Sequence, residues 1–210
     1  PFTVPFALLQ TELAAVMTEF ARLPEPIEPP SSLGRLSFRL VTANYARKDT
    51  VADLSQGWAG RWRLLRAIWR FSRGRGDAPP LQAGFRPIPF TQIDQPMGGP
   101  PEGTDELFTR YLRVKLQGLH FCGRAYYDVP FIEGWQSLVL VLPVVLWLAK
   151  WHALSQGREQ WTLDDVQAAM AVADHHHGFS PVFGQASARS RLRTLAESGD
   201  LSRLCVWAAK

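Results

Sequence analysis

The stretch Phe131 to Ala153, FIEGWQSLVLVLPVVLWLAKWHA, decides how the chain folds: from Leu138 to Ala149 it carries no charged side chain, and only Pro143 interrupts it. A run that is apolar on every side has to be surrounded, either by protein or by lipid. A membrane-spanning helix takes about 20 uninterrupted apolar residues, whereas runs of about 10–14 are characteristic of buried core helices. This run belongs with the second class, so no transmembrane helix is expected. Trp135, Trp147 and Trp151 are of the type that gathers at membrane interfaces, which keeps a lipid surround as the alternative. The expected fold is all-α, an irregular helical bundle in a single domain around a central apolar helix at about residues 131–153.

Composition is consistent with that fold. A chain of 210 residues that is 46% hydrophobic can bury a sizeable core within one domain. The net charge of +4 is mildly basic, and the excess is concentrated in one stretch rather than spread along the chain. Cys122 and Cys205 are too few for a disulfide framework or a CxxC metal site, and they fit a reducing, cytoplasmic compartment. The opening PFTVPF has no initiator Met, basic n-region or cleavage site, which points away from a signal peptide and towards an internal piece of a longer protein. There is no Gly-rich phosphate loop after a strand, no GxSxG elbow, no HExxH and no βαβ alternation, so a standalone enzyme with a familiar motif is disfavoured.

Residues 1–73 read as N-terminal helices. Phe6, Leu9, Leu13, Val16 and Phe20 recur at helical spacing, and the prolines between Pro24 and Pro30 form a stiff connector. Ser31 or Ser32 caps the next helix, with Leu33, Leu36, Leu40 and Ala43 as its expected inner face. From Val51 to about Arg73 a long amphipathic helix sets Leu54, Trp58, Trp62, Leu65 and Trp69 in one stripe. Arg63, Arg66, Arg70 and Arg73 form a second stripe one residue further round. Six arginines fall between Arg61 and Arg75 with no acidic residue among them. That face carries a positive field suited to phosphate or an acidic protein partner. The commoner fates are a solvated charged face and core tryptophans, and an anionic membrane surface or nucleic acid, the latter unlikely, complete the alternatives.

Residues 74–103 hold six glycines and seven prolines and show no helical or strand period, so a long loop is expected, either a lid or a passive crossing that packs through Phe85, Ile88, Phe90 and Ile93. The C-terminal helical core, 104–210, opens with Thr104 as a cap and Asp105 and Glu106 in the first turn. Its first helix should bury Leu107, Phe108, Tyr111, Leu112 and Val114, with Leu119 just beyond. Gly157 ends the central helix. Thr162 and Asp165 form a capping box with Asp in place of Glu, Gly178 closes that next helix, Ser180 and Pro181 begin another, and Asp200 caps a last one.

Candidate chemistry centres on His175, His176 and His177. Successive helical residues point about 100° apart, so the three rings cannot converge on one metal ion while the helix is intact. Rings filling an interface near a helix C-terminus are the economical reading, with a catalytic role, Asp174 orienting His175 or His177, as the alternative. Tyr111, Arg113, Lys115 and His120 place polar groups beside an apolar face. Lys115 lies four residues after Tyr111 and shares its side, while Arg113 points elsewhere. Such groups either remain on the surface or line a cleft for a carboxylate ligand.

YLRVKLQGLHFCG (Tyr111 to Gly123), the apolar helix, WTLDDVQAAMAVADHHHGFSP (Trp161 to Pro181) and YARKDT (Tyr45 to Thr50) together resemble the C-terminal helical part of YkgJ-type cysteine-cluster proteins, the group that includes flagellin lysine-N-methylases. The resemblance implies an N-terminal cysteine-rich segment holding an iron-sulfur or zinc cluster. In the methylase members it also implies methyl transfer from S-adenosylmethionine to lysine of a flagellin-like protein substrate. On that reading Tyr111, Asp174, His175 and His177 are candidate catalytic residues, Arg113, Lys115 and His120 candidate substrate contacts, and the 74–103 loop the cover of the groove. Cys122 and Cys205 cannot replace a four-cysteine cluster, so the chain would lack that segment. The rival expectation is a non-catalytic helical module that holds an acidic partner on Arg63, Arg66, Arg70 and Arg73.

Overall fold

The computed structural model describes residues 28–46, 57–80 and 82–210. The expected helix over Phe6 to Phe20, the first prolines of the connector, Leu54 and the Arg47 to Thr50 part of YARKDT lie outside the described residues. Eight helices and one short hairpin make up the rest. In chain order they are α1 (Ser32–Ala46), α2 (Gly57–Arg73), β1 (Asp77–Ala78), β2 (Ile88–Pro89), α3 (Phe90–Ile93), α4 (Thr104–Gln117), α5 (Phe131–Ser155), α6 (Leu163–His176), α7 (Ala186–Glu197) and α8 (Asp200–Ala208). The all-α expectation holds.

Helix α5 is the axis of the bundle. Every residue from Pro143 to Trp151 is buried, because α1, α3, α6, α7 and α8 all pack on it. It is long and apolar enough to cross a bilayer, but 78% of its most apolar window is buried inside the fold, so protein supplies the surround. Pro143 withdraws one donor from the helical ladder without ending the helix. At its N-terminal end Gly134 lets the 118–129 turn approach: a Cβ there would stand 1.8 Å from the carbonyl oxygen of Phe121. Only glycine fits.

The 74–103 stretch is more ordered than its composition suggests. Asp77 pairs with Pro89 and Ala78 with Ile88 in an antiparallel hairpin, and α3 follows at once. Phe85, Phe90 and Ile93 are core residues. The indoles of Trp147 and Trp151 donate to Asp94 Oδ1 and to the Arg86 carbonyl, each at 2.9 Å, and Asp94 also pairs with Arg39. The stretch is therefore a fixed covering of the C-terminal half of α5.

The expected helix ends are partly revised. Ser31 caps α1, its Oγ accepting from Gly34 N at 2.9 Å, and Thr162 and Asp165 form the capping box of α6. Thr104 and Asp200 are instead first-turn residues, with Gly103 and Gly199 in left-handed conformation at the N-caps. The Asp200 carboxylate reaches across to Ser31, accepting from its N at 2.9 Å and its Oγ at 2.6 Å, and so ties the start of α8 to the start of α1. Ser180 and Pro181 sit in turns, and α7 begins only at Ala186.

Three inner faces also differ in part from what sequence periodicity indicates. In α1 Ala43 is buried as expected, but it is joined by Phe38, Val41, Thr42 and Tyr45, while Leu33 and Leu36 are exposed. In α4 Phe108 is buried and Leu107 and Tyr111 pack on the core as expected, Thr104 and Lys115 join them, and Val114 and, beyond the helix, Leu119 face outward instead. In α2, which packs on α1, the buried side is Gly60, Ala67 and Phe71, the last against Phe90, Trp147 and Trp151, and the tryptophan stripe is not core at all.

Candidate functional site

Two places gather the residues that sequence singled out. The first is a cleft of about 180 Å³ lined by Lys115, His120, Ala125, His177, Gly178 and Phe179. It forms where the end of α4 meets the end of α6, and the spacing of α4 explains half of it. Lys115, one turn after Tyr111, lays its ammonium 5.4 Å over the Tyr111 ring and 2.6 Å from Asp174 Oδ1 on α6. The Lys115 side chain is nearly buried, whereas that of Asp174 is half exposed.

His177 supplies the inner wall. It lies just past the last helical residue of α6, at φ −69 and ψ 110, where the backbone has already left the helix. Its ring turns inward as a result. His177 Nδ1 lies 3.0 Å from the Tyr45 hydroxyl on α1, and Tyr126 stacks on the imidazole at 4.7 Å between centroids. The Tyr126 hydroxyl in turn shares a 2.5 Å hydrogen bond with Ser137 Oγ on α5. Burial, with a smaller push from Lys115, lowers the His177 pKa to about 3, so the imidazole is neutral at physiological pH. Burial raises Tyr45 and Tyr126, and burial together with the Asp174 charge raises Tyr111, so all three phenols keep their protons. Such a wall can hold or exchange a hydrogen bond through its imidazole, but it offers no phenolate nucleophile.

The expected site thus divides. Tyr111, Lys115, His120, Asp174 and His177 come together. Arg113 is exposed on another side of α4, as its spacing indicated, and His175 is exposed too. His176 is buried with Nδ1 2.9 Å from the Val172 carbonyl. The His175 and His176 rings meet edge to face at 5.1 Å between centroids while His177 turns away from them, and among the described residues no group of three His, Cys, Asp or Glu side chains converges as a metal site. Cys122 and Cys205 are free thiols on separate elements, so the described residues do not fit an iron-sulfur or zinc cluster. Among the described residues, none of the 74–103 stretch lines the cleft. Tyr45, Tyr126 and Ser137 escaped sequence reading, because they join His177 only through the fold.

The second place is the outer side of α2. Trp58, Trp62, Leu65 and Trp69 are 80%, 66%, 57% and 53% exposed, and Ile68 is 40% exposed. Arg61, Arg63, Arg66, Arg70 and Arg73 are exposed on the same helix. The Arg73 guanidinium lies 4.1 Å from the Trp69 ring centroid. Trp62, Leu65, Arg66, Ile68, Trp69 and Ser72 line a shallow, solvent-open groove of about 600 Å³.

Comparison of the chain with models of known protein families, with curated proteins and with solved structures gives no match.

Proposed function

We propose that this chain is a non-catalytic helical interaction module that holds an acidic partner against α2. The observation that carries this reading is the exposed stripe of Trp58, Trp62, Leu65 and Trp69 bordered by arginines. Folded chains seldom leave a contiguous row of tryptophans in water, and such rows mark places where something else docks. Tryptophan and arginine are also the residue types that dominate binding energy at interfaces. With no acidic side chain between Arg61 and Arg75, the surface favours a partner of negative charge.

The test uses poly-L-glutamate as the acidic probe, with binding followed by fluorescence anisotropy. Binding should weaken steeply as salt rises, because exposed charges are screened beyond a Debye length of about 10 Å at 0.1 M ionic strength. Charge reversal in R66E/R70E should abolish it while circular dichroism stays unchanged. Absent or salt-insensitive binding would remove the proposal. Methyl transfer to a protein lysine has the resemblance of Tyr111–Gly123 and Trp161–Pro181 as its support, and the cleft at His177 adds no cluster or cofactor geometry to it.

A further inference from the structure

Helix α2 has two apolar sides, and the angle between them sets what can cover the outer one. At about 100° per residue, Trp58, Trp62, Leu65 and Trp69 fall within about 60° of arc, centred about 170° away from Gly60, Ala67 and Phe71. The second group is the side packed on the protein, so the tryptophan stripe points almost straight outward. Arg61 borders the stripe on one edge, and Arg66, Arg70 and Arg73 border it on the other. The outward side of the helix is thus an apolar crest that lines the shallow open groove, with cationic shoulders at Arg61 on one edge and at Arg66, Arg70 and Arg73 on the other.

We propose that α2 docks in the plane of a lipid bilayer whose surface is rich in anionic phospholipid. This rests on the acidic-partner reading and names the partner. A long helix with low net hydrophobicity, aromatic and aliphatic residues on one side and arginine beside them lies in a membrane interface rather than across it. Tryptophan is the side chain enriched at that depth, where the ring sits among acyl chains and the indole N–H meets headgroup oxygens. Arginines at the edges of the crest can keep their guanidinium groups at the anionic headgroups while their stems lie on apolar surface. The groove along the stripe is shallow and open, so it encloses no side chain of a protein partner, whereas a bilayer conforms to it. A second copy of the chain paired about a two-fold axis would set arginine shoulders against arginine shoulders, which like-charge repulsion opposes.

The experiment measures binding of the intact chain to vesicles of phosphatidylcholine alone and of phosphatidylcholine mixed with phosphatidylglycerol, by co-sedimentation and by quenching of tryptophan emission with brominated lipid. Binding at least tenfold tighter to the mixed vesicles is expected, with quenching and a blue shift of emission. R66E/R70E should lose that preference. W58F/W62F/W69F should keep binding but lose most of the quenching, because of the five tryptophans that remain Trp147, Trp151 and Trp161 are buried, Trp207 is half-buried, and Trp135 alone is exposed, on a different helix. No binding to the mixed vesicles overturns the inference, as does binding with no quenching, which would place the helix above the lipid. Poly-L-glutamate binding without vesicle binding overturns the inference while leaving the acidic-partner reading standing. Absence of both overturns both.

Discussion

Helices α5 and α2 both set tryptophans one turn apart, Trp147 and Trp151 on the first and Trp58 and Trp62 on the second, yet the first pair is at most 1% exposed and the second pair at least 66% exposed. The difference comes from what stands around the rings. On α5 nothing charged lies between Leu138 and Ala149, so every side can be covered, and both indole N–H groups find fixed acceptors at Asp94 and Arg86. On α2 an arginine follows at nearly every third position, and the face that can approach α1 closely is the one with the small residues Gly60 and Ala67. Close packing selects the small side, and the tryptophans take the outside. Identical residues at identical spacing are core in one helix and exposed on the other.

The largest effect that would break this comparison is in the core. Trp151→Ala should cost about 3–5 kcal/mol of unfolding free energy, measured by urea denaturation, because it opens a cavity beneath Phe71 and Phe85 and removes the partner of the Arg86 carbonyl. Trp58→Ala should change stability by less than about 0.5–1 kcal/mol. Equal losses would show that the two helices do not differ as described.

Next in size is the polar hub at the start of α6. Asp165 is fully buried and accepts from both Arg158 amino groups at 2.5 and 2.7 Å and from Thr162 N at 2.8 Å, and His152 Nδ1 lies 2.6 Å from it. Those partners hold its carboxyl well below the usual range although burial opposes them. The stability it supplies is present above the ordinary carboxylate pKa of about 3.9 and is lost as pH falls below it. Asp165→Ala removes the capping-box acceptor of Thr162 and the partner of a 38% exposed Arg158, and should cost about 1–3 kcal/mol at neutral pH.

His177 acts in a different window. Its folded pKa of about 3 lies below the ordinary value, so only the unfolded chain takes up its proton as pH falls through about 6.5. Stability should therefore decline on the acid side of pH 6.5, by of the order of 2 kcal/mol at pH 5, and His177→Asn should flatten that part of the profile. A wild-type profile that is flat from pH 7 to 5 would mean that the ring is hydrated rather than held by Tyr45 and Tyr126. The smallest effect is on the outer face: R66E/R70E should leave the melting temperature unchanged while removing binding to anionic probes.

Much of this was legible in the chain, and the failures share a cause. The run around Leu138 to Ala149 marked the axis of the bundle, Thr162 and Asp165 marked the start of α6, and the four-residue step from Tyr111 to Lys115 placed both on one side of the cleft. These are local signals. Tyr45 and His177, by contrast, stand 132 residues apart in sequence, and no pattern within either segment announces their hydrogen bond. The exposed stripe of α2 was missed for a related reason. Periodicity finds an apolar face but cannot choose between two, and the deciding clue was the smallness of Gly60 and Ala67 beside Phe71, which marks where another helix comes close. The faces of α1 and α4 slipped only in part: Ala43, Phe108 and Tyr111 lie where periodicity puts them, but leucines and Val114 at helical spacing outweighed Phe38, Tyr45 and Lys115.

The most direct measurement is the unfolding free energy of W58S/W62S/W69S beside that of the unaltered chain, under identical denaturant conditions. If the stripe faces outward, the three substitutions together should change stability by no more than about 1 kcal/mol, since exposed positions contribute little to folding. A loss of several kcal/mol would show that these rings are packed inside the protein, and the docking surface on α2 would not exist.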